Sequence, residues 1–469
     1  MKVLNSVTPT PEQLPIIANP YAGITLIRGA AGSGKTTTAL LMLKQLSEFW
    51  LRRRERSNDD SPVRILVLTF NRTLRGYIHH LAQRQIYPNA KIQLEVTTFG
   101  KWAMKKVGVA NIIQPFEKCD FLYNHSNSNG IDLQKDFLCE EVDYCISRFS
   151  FSELNKYVTM KRIGRGKTPR VNITLRQNLL DKVIMPYLEY KNKKRLKDWN
   201  DLALELFLNP SDVRYDIIIT DETQDFSANE IRAIMKHVAE PSTVVFVLDA
   251  AQRIYPRGWA WKEVGITINS NHSFLLKQNH RNTIEICALA RPLLNGLDLT
   301  DDGTIPDLDS CERSGTKPKV LKGTYSQQCS HAISVILSSI DLRSESVAFV
   351  HPRAGGWFSY LKTQLTRNKL KFVELSRQSD WPEDRTNIAL LSMHSSKGLE
   401  FDHVFILGLN EEITPHGNEE GDNAFENFRR LLAMSLTRAR STVTLGYKPG
   451  EASMLFTILS DDTYEEILL

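Results

Sequence analysis

The run Gly29-Ala30-Ala31-Gly32-Ser33-Gly34-Lys35-Thr36 decides how this chain is interpreted, because it fits the pattern G-x-x-x-x-G-K-[ST]. The apolar residues 24–27 before it predict a short buried strand, and leucines at helical spacing in residues 37–49 predict a helix after it. A strand, a glycine-rich loop and a helix in that order form a cradle of backbone N–H groups around a β-phosphate. Lys35 is expected to reach the β- and γ-phosphates, and the Thr36 hydroxyl is expected to ligate Mg²⁺. A nucleoside triphosphate is therefore the expected ligand.

The composition is that of an ordinary globular chain. The 469 residues are 42% hydrophobic and 24% charged, and this length allows two or three domains. The net charge of +5 is mild, so binding to a polyanion must come from local patches. The N-terminus lacks a signal peptide's apolar core and no apolar run is long enough to span a membrane, so we expect a cytoplasmic protein without membrane contact. The six cysteines form no C-x-x-C pair and no zinc spacing, which favours free thiols.

Short apolar runs alternate with helical stretches along most of the chain, which is typical of an α/β fold with parallel sheets covered on both faces. These runs are residues 65–68, 217–219, 244–248, 347–350, 388–391 and 404–407. Between about residues 103 and 200 the pattern stops. That stretch is helical, polar and basic, so we interpret it as an insertion between strands of the first sheet.

Three local runs are strongly basic. Residues 52–56 and 191–197 are interpreted as solvated helix faces. Residues 161–170 include Gly164 and Gly166, so they fit either a solvated loop or a flexible loop that contacts phosphates.

A second motif places two adjacent carboxylates after the predicted strand at residues 217–219. Ligands of open α/β sheets bind at the carboxyl ends of the strands, where Asp221 and Glu222 would lie. Asp221 is expected to hold Mg²⁺, and Glu222 is expected to orient and deprotonate the attacking water. Alone, the pair could be an acidic turn; the phosphate loop upstream favours a hydrolytic site.

Together these two motifs resemble the first two signatures of superfamily 1 helicases of the UvrD/Rep type. Further stretches resemble the adenine-reading Gln motif, motifs Ia and Ib, the D-F-x-D-L element and motifs III to VI, in that order: residues 10–13, 69–71, 97–99, 199–202, 248–255, 278–281, 393–401 and 429–439. The resemblance covers nearly the whole chain. It implies two RecA-like P-loop NTPase domains with ATP between them.

The resemblance also implies domain boundaries. Domain 1A is expected at residues 1–102 and 199–275, a helical insertion 1B at 103–198, and domain 2A at 276–469. UvrD and Rep carry a long domain 2B between motifs IV and V, but here only about 110 residues separate those motifs. We therefore expect 2B to be missing or vestigial, at the polar loop of residues 376–385. We also expect no fused nuclease, because few residues follow motif VI.

Catalytic roles follow from the same resemblance, with contributions from both domains. Gln252 is expected to sense the γ-phosphate, and Arg281 and Arg438 are expected to act as arginine fingers. Singly, either arginine could be a surface cation. The residues expected to act in catalysis are Lys35, Glu222, Gln252, Arg281 and Arg438, with Thr36 and Asp221 as Mg²⁺ ligands.

Nucleotide contacts are implied as well. Gln13 is expected to read the adenine edge and Glu400 to bond the ribose, although either could be an ordinary surface residue. Thr37 and His280 stand where many relatives have the Arg and Tyr that sandwich the adenine, so base selectivity is open. The residues expected to bind ATP are Gln13, Gly29, Ala30, Ala31, Gly32, Ser33, Gly34, Lys35, Thr36, Thr37, His280 and Glu400.

A DNA strand needs aromatic rings for base stacking beside groups that contact phosphates. Trp259 could equally be a core residue, and Arg353, His394 and Ser395 are candidates for phosphate contacts. The residues expected to contact nucleic acid are Phe70, Asn71, Thr98, Phe99, Tyr255, Trp259, Arg353, His394 and Ser395.

Three functions are compatible with the sequence. The first, implied by the resemblance, is an ATP-dependent translocase or helicase that moves 3′→5′ on single-stranded or partly duplex DNA. The second is a nucleotide-gated DNA-sensing subunit that licenses a separately encoded nuclease or effector, as in anti-phage defence systems such as Gabija. The third is an RNA-directed helicase, which the UvrD-type sequences of motifs IV and V disfavour.

Overall fold

The computed structural model of the chain describes residues 9–29, 32–69, 75, 78–79, 82–83, 85, 89–108, 111–162, 169–248, 259–297, 311–353, 355–375, 386–396, 399–414 and 423–469. Two large sheets of parallel strands form its framework, which confirms the predicted α/β class with two RecA-like sheets. Each apolar run predicted to be a strand is one.

The first sheet has six described strands in the order β3-β2-β4-β5-β1-β6. Their bounds are β1 Gly23–Gly29, β2 Val63–Thr69, β3 Ile92–Thr98, β4 Tyr215–Thr220, β5 Val238–Leu248 and β6 Ser273–Leu276. The pairings are all parallel, so the residues that follow β1 and β4 emerge at the same edge. A short helix precedes β1 and a long helix follows the phosphate loop: α1 Leu14–Ile17 and α2 Lys35–Arg56.

The stretch between β3 and β4 is helical, as predicted. Its helices are α3 Phe99–Val107, α4 Pro115–Ser128, α5 Lys135–Ile146, α6 Lys156–Thr159, α7 Ile173–Leu179, α8 Met185–Lys194 and α9 Trp199–Leu208. A π-helical turn, Leu180–Ile184, joins α7 to α8. Buried side chains between Ile113 and Tyr187 form a hydrophobic core of their own. Helix α10, Ala228–Met235, then follows β4.

A small two-stranded sheet leads into the second half of the chain. It pairs β7 Asn279–Thr283 with β8 Cys311–Arg313, and helix α11 Ile284–Ala290 follows β7. Strand β7 carries motif IV and therefore Arg281, a predicted arginine finger. This residue can contribute to the nucleotide site only if β7 lies close to the phosphate loop.

The second large sheet has seven described strands in the order β11-β12-β10-β13-β14-β9-β15, all paired in parallel. The strands are β9 Lys319–Lys322, β10 Val347–His351, β11 Val373–Leu375, β12 Ile388–Ser392, β13 Phe401–Ile406, β14 Ala439–Tyr447 and β15 Glu465–Leu468. The helices are α12 Tyr325–Ser339, α13 Ser359–Arg367 and α14 Asn423–Leu436. The largest hydrophobic cluster takes buried residues from both large sheets, for example Val247 and Val404.

A buried network of ion pairs joins helices α4 and α8 to the start of α9. Lys191 Nζ lies 3.0 Å from an Asp198 carboxylate oxygen and 2.6 Å from an Asp201 oxygen, and Lys118 lies 3.5 Å from Asp198. Burial alone would raise the pKa of Asp198, but the charges of Lys118 and Lys191 hold it well below its usual range. The interpretation of residues 191–197 as a solvated face is therefore wrong for Lys191, whose ammonium group is buried because two carboxylates compensate it.

The expectation of free thiols is also wrong for four of the six cysteines. The structure pairs Cys119 with Cys139 and Cys287 with Cys311 in disulfides, while Cys145 and Cys329 are buried thiols. The first pair joins α4 to α5 and the second joins α11 to β8, contacts that sequence spacing alone does not indicate. In the described part of the chain, no helix is both long and apolar enough to cross a bilayer.

Replacing Lys191 tests the buried network. Lys191→Met keeps most of the side-chain volume but leaves Asp201 uncompensated, and it leaves Asp198 with Lys118 alone. We expect the free energy of unfolding to fall by about 3 kcal/mol, the lower end of the range for a broken buried pair, because Lys118 still faces Asp198. Urea unfolding followed by circular dichroism measures this, with the exposed neighbour variant Lys193→Met as control. Equal stability of the two variants would contradict the network's role.

Candidate functional site

The phosphate loop leaves β1 with the backbone geometry that its glycines permit. Gly32 and Gly34 have φ angles of +81° and +77°, and Gly34 is the N-cap of α2. These left-handed conformations suit glycine and orient successive N–H groups toward one concavity at the helix N-terminus. A Cβ on Gly29 would lie 2.6 Å from the carbonyl oxygen of Leu276, so the close contact between β1 and β6 also requires glycine.

Thr36 and Asp221 meet at the start of α2. The Thr36 hydroxyl donates a 2.8 Å hydrogen bond to Asp221 Oδ1, and no donor among the described residues reaches the buried Oδ2. Burial, and then the charge of Glu222, raises the pKa of Asp221 to about 7, against the opposing effects of Thr36 and Lys35. Lys35 therefore lies within electrostatic reach of this carboxylate.

This donor set fits Mg²⁺. A hydroxyl and a carboxylate lie side by side, and one carboxylate oxygen accepts no hydrogen bond from the described residues. Mg²⁺ keeps several waters and takes only one or two protein oxygens at nucleotide sites. The described residues contain no group of three His, Cys, Asp or Glu side chains that could hold a metal, so a cage of protein ligands is not offered by that part of the chain.

Glu222 follows Asp221 in an unusual backbone conformation. Its φ angle is +54°, a left-handed value that costs a non-glycine residue about 1–3 kcal/mol. Gln224 Nε2 donates a 2.6 Å hydrogen bond to Glu222 Oε2, and the carboxylate is nearly buried. The strained turn thus places a positioned carboxylate directly beside the expected metal ligand.

The segment before β1 reaches both the loop and the second half of the chain. Gln13 is 3% exposed, and its Nε2 donates a hydrogen bond of 3.5 Å to the carbonyl of Gly34. The carboxylate of Glu12 accepts hydrogen bonds from the backbone N–H groups of Lys277 and Gln278, at 2.8 and 3.4 Å. Glu12 was not among the predicted site residues, although it lies within the stretch that resembles the Gln motif.

Strand β7 packs directly on the phosphate loop. A Cβ on Gly32 would lie 2.2 Å from Asn279 Oδ1 and 3.0 Å from Arg281 Cβ. Asn279 is 1% exposed, and its Oδ1 accepts hydrogen bonds from the backbone N–H groups of Arg281 and Asn282, both at 3.1 Å. Strand β7, which carries motif IV, thus lies against the phosphate loop, and Asn279 is a residue of this contact that was not predicted.

Arg281 forms an ion pair with Glu400. Its Nη1 also approaches the carbonyl of Thr437 at 3.5 Å, while Nε has no hydrogen-bond acceptor among the described residues. Burial would raise the pKa of Glu400, but the charge and hydrogen bond of Arg281, with the charges of Arg440 and Arg438, lower it. Glu400, which was predicted to bond the ribose, thus pairs with Arg281, a predicted arginine finger.

Motif VI is tied to motif IV through Asn282. Its Nδ2 donates to the carbonyls of Thr437 and Ala439, at 3.0 and 2.7 Å, on either side of Arg438. Arg438 is 2% exposed, and its Nε donates to the carbonyl of Met434 at 3.0 Å. Its charge acts on Glu400, so both predicted arginine fingers lie in the electrostatic surroundings of one carboxylate.

Several predicted residues occupy the loop or lie outside the described residues. Ser33 is buried with no described partner for its hydroxyl, and Thr37 is half-buried in the first turn of α2. His280 lies in β7, but its side chain is not described. The predicted site residues outside the described part of the chain are Ala30, Ala31, Phe70, Asn71, Gln252 and Tyr255.

Two aromatic residues predicted to stack on bases are core residues. Phe99 is 4% exposed and packs against Trp102 and Phe226, with ring centroids 5.6 and 6.3 Å away. Trp259 is 8% exposed and donates from Nε1 to the carbonyl of Phe226 at 2.7 Å. Burial leaves neither ring a free face for a base, and a motif match could not distinguish that packing from stacking.

The other predicted nucleic-acid residues differ in accessibility. Thr98 caps α3, and Ser395 is buried with its hydroxyl 2.9 Å from that of Ser392. Arg353 is exposed beyond β10, with Nη2 donating to the carbonyl of Glu412 at 2.9 Å, and His394 is half-buried beyond β12. Because β10 and β12 are neighbouring parallel strands, Arg353 and His394 emerge at the same sheet edge.

The chain matches known families in two blocks. Residues 10–263 match the UvrD/REP helicase N-terminal domain, and residues 359–449 match the UvrD-like helicase C-terminal domain. Similar relatives include the ATP-dependent DNA helicase PcrA of Staphylococcus aureus strain MRSA252, 33% identical over 99 residues, which are 20% of this chain and 13% of the relative. Another is the ATP-dependent DNA helicase Rep of Buchnera aphidicola subsp. Schizaphis graminum, 41% identical over 63 residues, which are 13% of this chain and 10% of the relative.

A solved structure is also similar in part. It is the C-terminal domain of a possible DNA helicase from Lactobacillus plantarum WCFS1, 18% identical, with a TM-score of 0.30 over 40% of this chain and 98% of that chain. That TM-score is too low to support an argument about the fold. The curated relatives are matched over only about an eighth of their length or less.

Substitution of Gly32 tests the contact between the loop and β7. Gly32→Ala would force an unfavourable φ on alanine and drive its methyl group into Asn279, so the loop or β7 must shift. We expect nucleotide affinity to fall roughly 10- to 100-fold, the equivalent of about 1–3 kcal/mol of strain. Titration with a fluorescent ATP analogue measures the affinity.

Gly265→Ala is the matched control, because Gly265 has a φ of +76° but no atom within 4 Å of its added Cβ. It should lose stability in a thermal melt yet bind nucleotide normally. Unchanged affinity in Gly32→Ala, or an equal loss in both variants, would contradict the proposed contact.

Proposed function

Because the chain belongs to the UvrD/REP helicase family, we propose that it is an ATP-dependent translocase or helicase on single-stranded DNA. The observation that carries the proposal is the position of Arg281, from β7, against Gly32 of the phosphate loop. One pocket then holds a phosphate cradle, a metal-ligand pair, a candidate base and a cation from the second half of the chain. Such a pocket is suited to triphosphate hydrolysis that depends on the relative positions of two sheets.

In this proposal the chain's own groups position a triphosphate and stabilise the charge that develops during hydrolysis. The loop N–H groups and Lys35 hold the phosphates. Thr36 and Asp221 would hold Mg²⁺, which would supply positive charge to the triphosphate. Glu222, fixed by Gln224, orients the attacking water and accepts its proton. Arg281 and Arg438 stabilise the transferring phosphoryl group.

In this proposal, ATP hydrolysis is coupled to movement because Arg281 exchanges Glu400 for the γ-phosphate. In the structure, Glu400 holds this guanidinium group. A γ-phosphate in the cradle would compete for it, and Glu400 would then be available to the ribose. Arg281 thus links occupancy of the site to the arrangement of β7 and motif VI, since Asn282 joins the two.

The domain division expected from the sequence fits this scheme. Domain 1A would comprise residues 1–102 and 199–275, the insertion 1B residues 103–198, and domain 2A residues 276–469. The separate core of the helical stretch supports 1B as a unit. The proposed remnant of 2B at residues 376–385 lies outside the described residues.

A DNA strand would cross the carboxyl edges of both sheets. Arg353 and His394 offer accessible cationic and polar groups at the edge of the second sheet. The relatives PcrA and Rep are named ATP-dependent DNA helicases, which supports DNA as the polymer, and the family resemblance supports 3′→5′ movement.

A second candidate function is a nucleotide-gated DNA-sensing subunit that licenses a nuclease or another effector. The short spacing between motifs IV and V favours it, because a chain without an accessory domain offers less surface for strand separation. The ATP chemistry is the same in both candidates, so only strand separation by the purified chain distinguishes them. Unwinding without a partner favours the helicase; ATP turnover on DNA without unwinding favours the subunit.

Replacing Glu222 tests the hydrolytic site. Glu222→Gln should bind ATP normally, because the phosphate cradle is intact, yet lower DNA-stimulated kcat about 100- to 10,000-fold through loss of the base. Lys35→Ala should impair both ATP binding and turnover. Phosphate release in the presence of single-stranded DNA measures kcat, with Glu189→Gln on the exposed face of α8 as control. DNA-stimulated turnover that survives Lys35→Ala would rule out this site.

The direction of movement has its own assay. ATP should drive the protein to displace streptavidin from a biotin at the 5′ end of a DNA strand, and not from the 3′ end. An RNA strand of the same sequence should stimulate ATP turnover less. Displacement from the 3′ end would reverse the proposed direction, and stronger stimulation by RNA would favour the RNA-directed alternative.

A further inference from the structure

A second concave site lies at the far end of α2. A cavity of about 290 Å³ is lined by Pro20, Glu48, Phe49, Arg52, Arg53 and Arg56. Helix α2 begins at the phosphate loop and rises about 1.5 Å per residue, so Arg52 lies roughly 25 Å from Lys35. The cavity is therefore at the opposite end of the helix from the nucleotide site.

Among the residues that line the cavity, three arginines outnumber one carboxylate, that of Glu48. Arg52, Arg53 and Arg56 are exposed, and among the described residues no carboxylate forms an ion pair with any of the three. Their neighbour Arg54 is different, since it pairs with Asp59 and Asp216. Three adjacent guanidinium groups without counterions repel one another, which an anionic partner would relieve.

Part of this surface is held in position. The guanidinium group of Arg53 lies over the ring of buried Trp50, 5.5 Å from its centroid. Such a cation–π contact restricts the side chain and reduces the entropy lost on binding. Phe49 and Pro20 add a half-buried apolar floor beside the charges.

We propose that this cavity binds a short acidic segment of a partner protein. Aspartate or glutamate side chains would pair with the three arginines in the bidentate geometry that guanidinium favours. An apolar side chain of the same segment would pack on Phe49 and Pro20. The partner would dock without covering the nucleotide site.

The position of the cavity favours a peptide over a nucleic acid. The proposed DNA path crosses the carboxyl edges of the sheets, where α2 begins, whereas this cavity lies at the other end of α2. Glu48 lines the same cavity and can accept a hydrogen bond from a peptide N–H group, a donor that a sugar–phosphate backbone lacks.

The test selects peptides from a random display library on the full-length protein, at physiological salt. Selected peptides, labelled with fluorescein, are then titrated by fluorescence anisotropy with three proteins: wild type, the triple variant Arg52→Glu, Arg53→Glu, Arg56→Glu, and the control Arg367→Glu. Arg367 is exposed at the end of α13 and lies outside the cavity. Arg54 is left intact because it holds Asp216, and thermal melts check that each variant is folded.

The proposal expects selected peptides that are rich in Asp and Glu and contain an apolar residue. Their affinity should fall roughly tenfold or more in the triple variant and stay unchanged in the control. Neutral or basic peptides, or equal binding by the triple variant, would overturn it. An oligothymidylate strand that loses affinity for the triple variant in the same proportion would assign the cavity to nucleic acid instead. Dimers of wild type that the triple variant lacks, seen by sedimentation, would assign it to a second copy of the chain.

Discussion

The contact between Gly32 and β7 is the constraint on which the site depends. Because a single added Cβ would lie 2.2 Å from Asn279 Oδ1, the loop and the strand pack with no spare volume. Because both surfaces are densely packed, this contact has two discrete arrangements: the phosphate loop and β7 either touch or separate. A nucleotide that changes the loop must therefore change the position of β7, and with it Arg281.

The charged groups near the contact between Gly32 and β7 make it sensitive to a bound nucleotide. In the structure, Arg281 is compensated by Glu400, and Asp221 is stabilised by the Thr36 hydroxyl, the charge of Lys35 and the backbone N–H of Glu222. The guanidinium group of Arg281 can therefore pair with an anionic ligand, and the carboxylate of Asp221 can bind a metal ion. Phosphates with Mg²⁺ would satisfy both at once, because they supply the anion for Arg281 and the cation for Asp221. The same ligand would therefore stabilise the contact between the phosphate loop and β7 from both sides.

The sequence was most informative where chemistry restricts the choice of residue. The φ angles at Gly32 and Gly34 strongly favour glycine, and the parallel strands required continuous apolar runs, so the loop and the strands were predictable. Side-chain environment was less predictable. Phe99 matches motif Ib yet packs in the core, as does Trp259, for which both roles were open. Lys191 lies in a basic run yet is buried, because contacts with residues distant in sequence decide burial. Asn279 and Asn282 were overlooked for the same reason, since their amides matter only once β7 meets the loop and motif VI.

The central claim is that Arg281 recognises the γ-phosphate, and the affinities of a triphosphate and a diphosphate test it most directly. Isothermal calorimetry of wild type and Arg281→Ala with ATPγS and with ADP, each with Mg²⁺, separates that contact from general binding. The account predicts that Arg281→Ala weakens ATPγS binding roughly 10- to 100-fold and leaves ADP affinity nearly unchanged, because only the triphosphate reaches the guanidinium group. An equal loss for both nucleotides, or no loss for either, would contradict it.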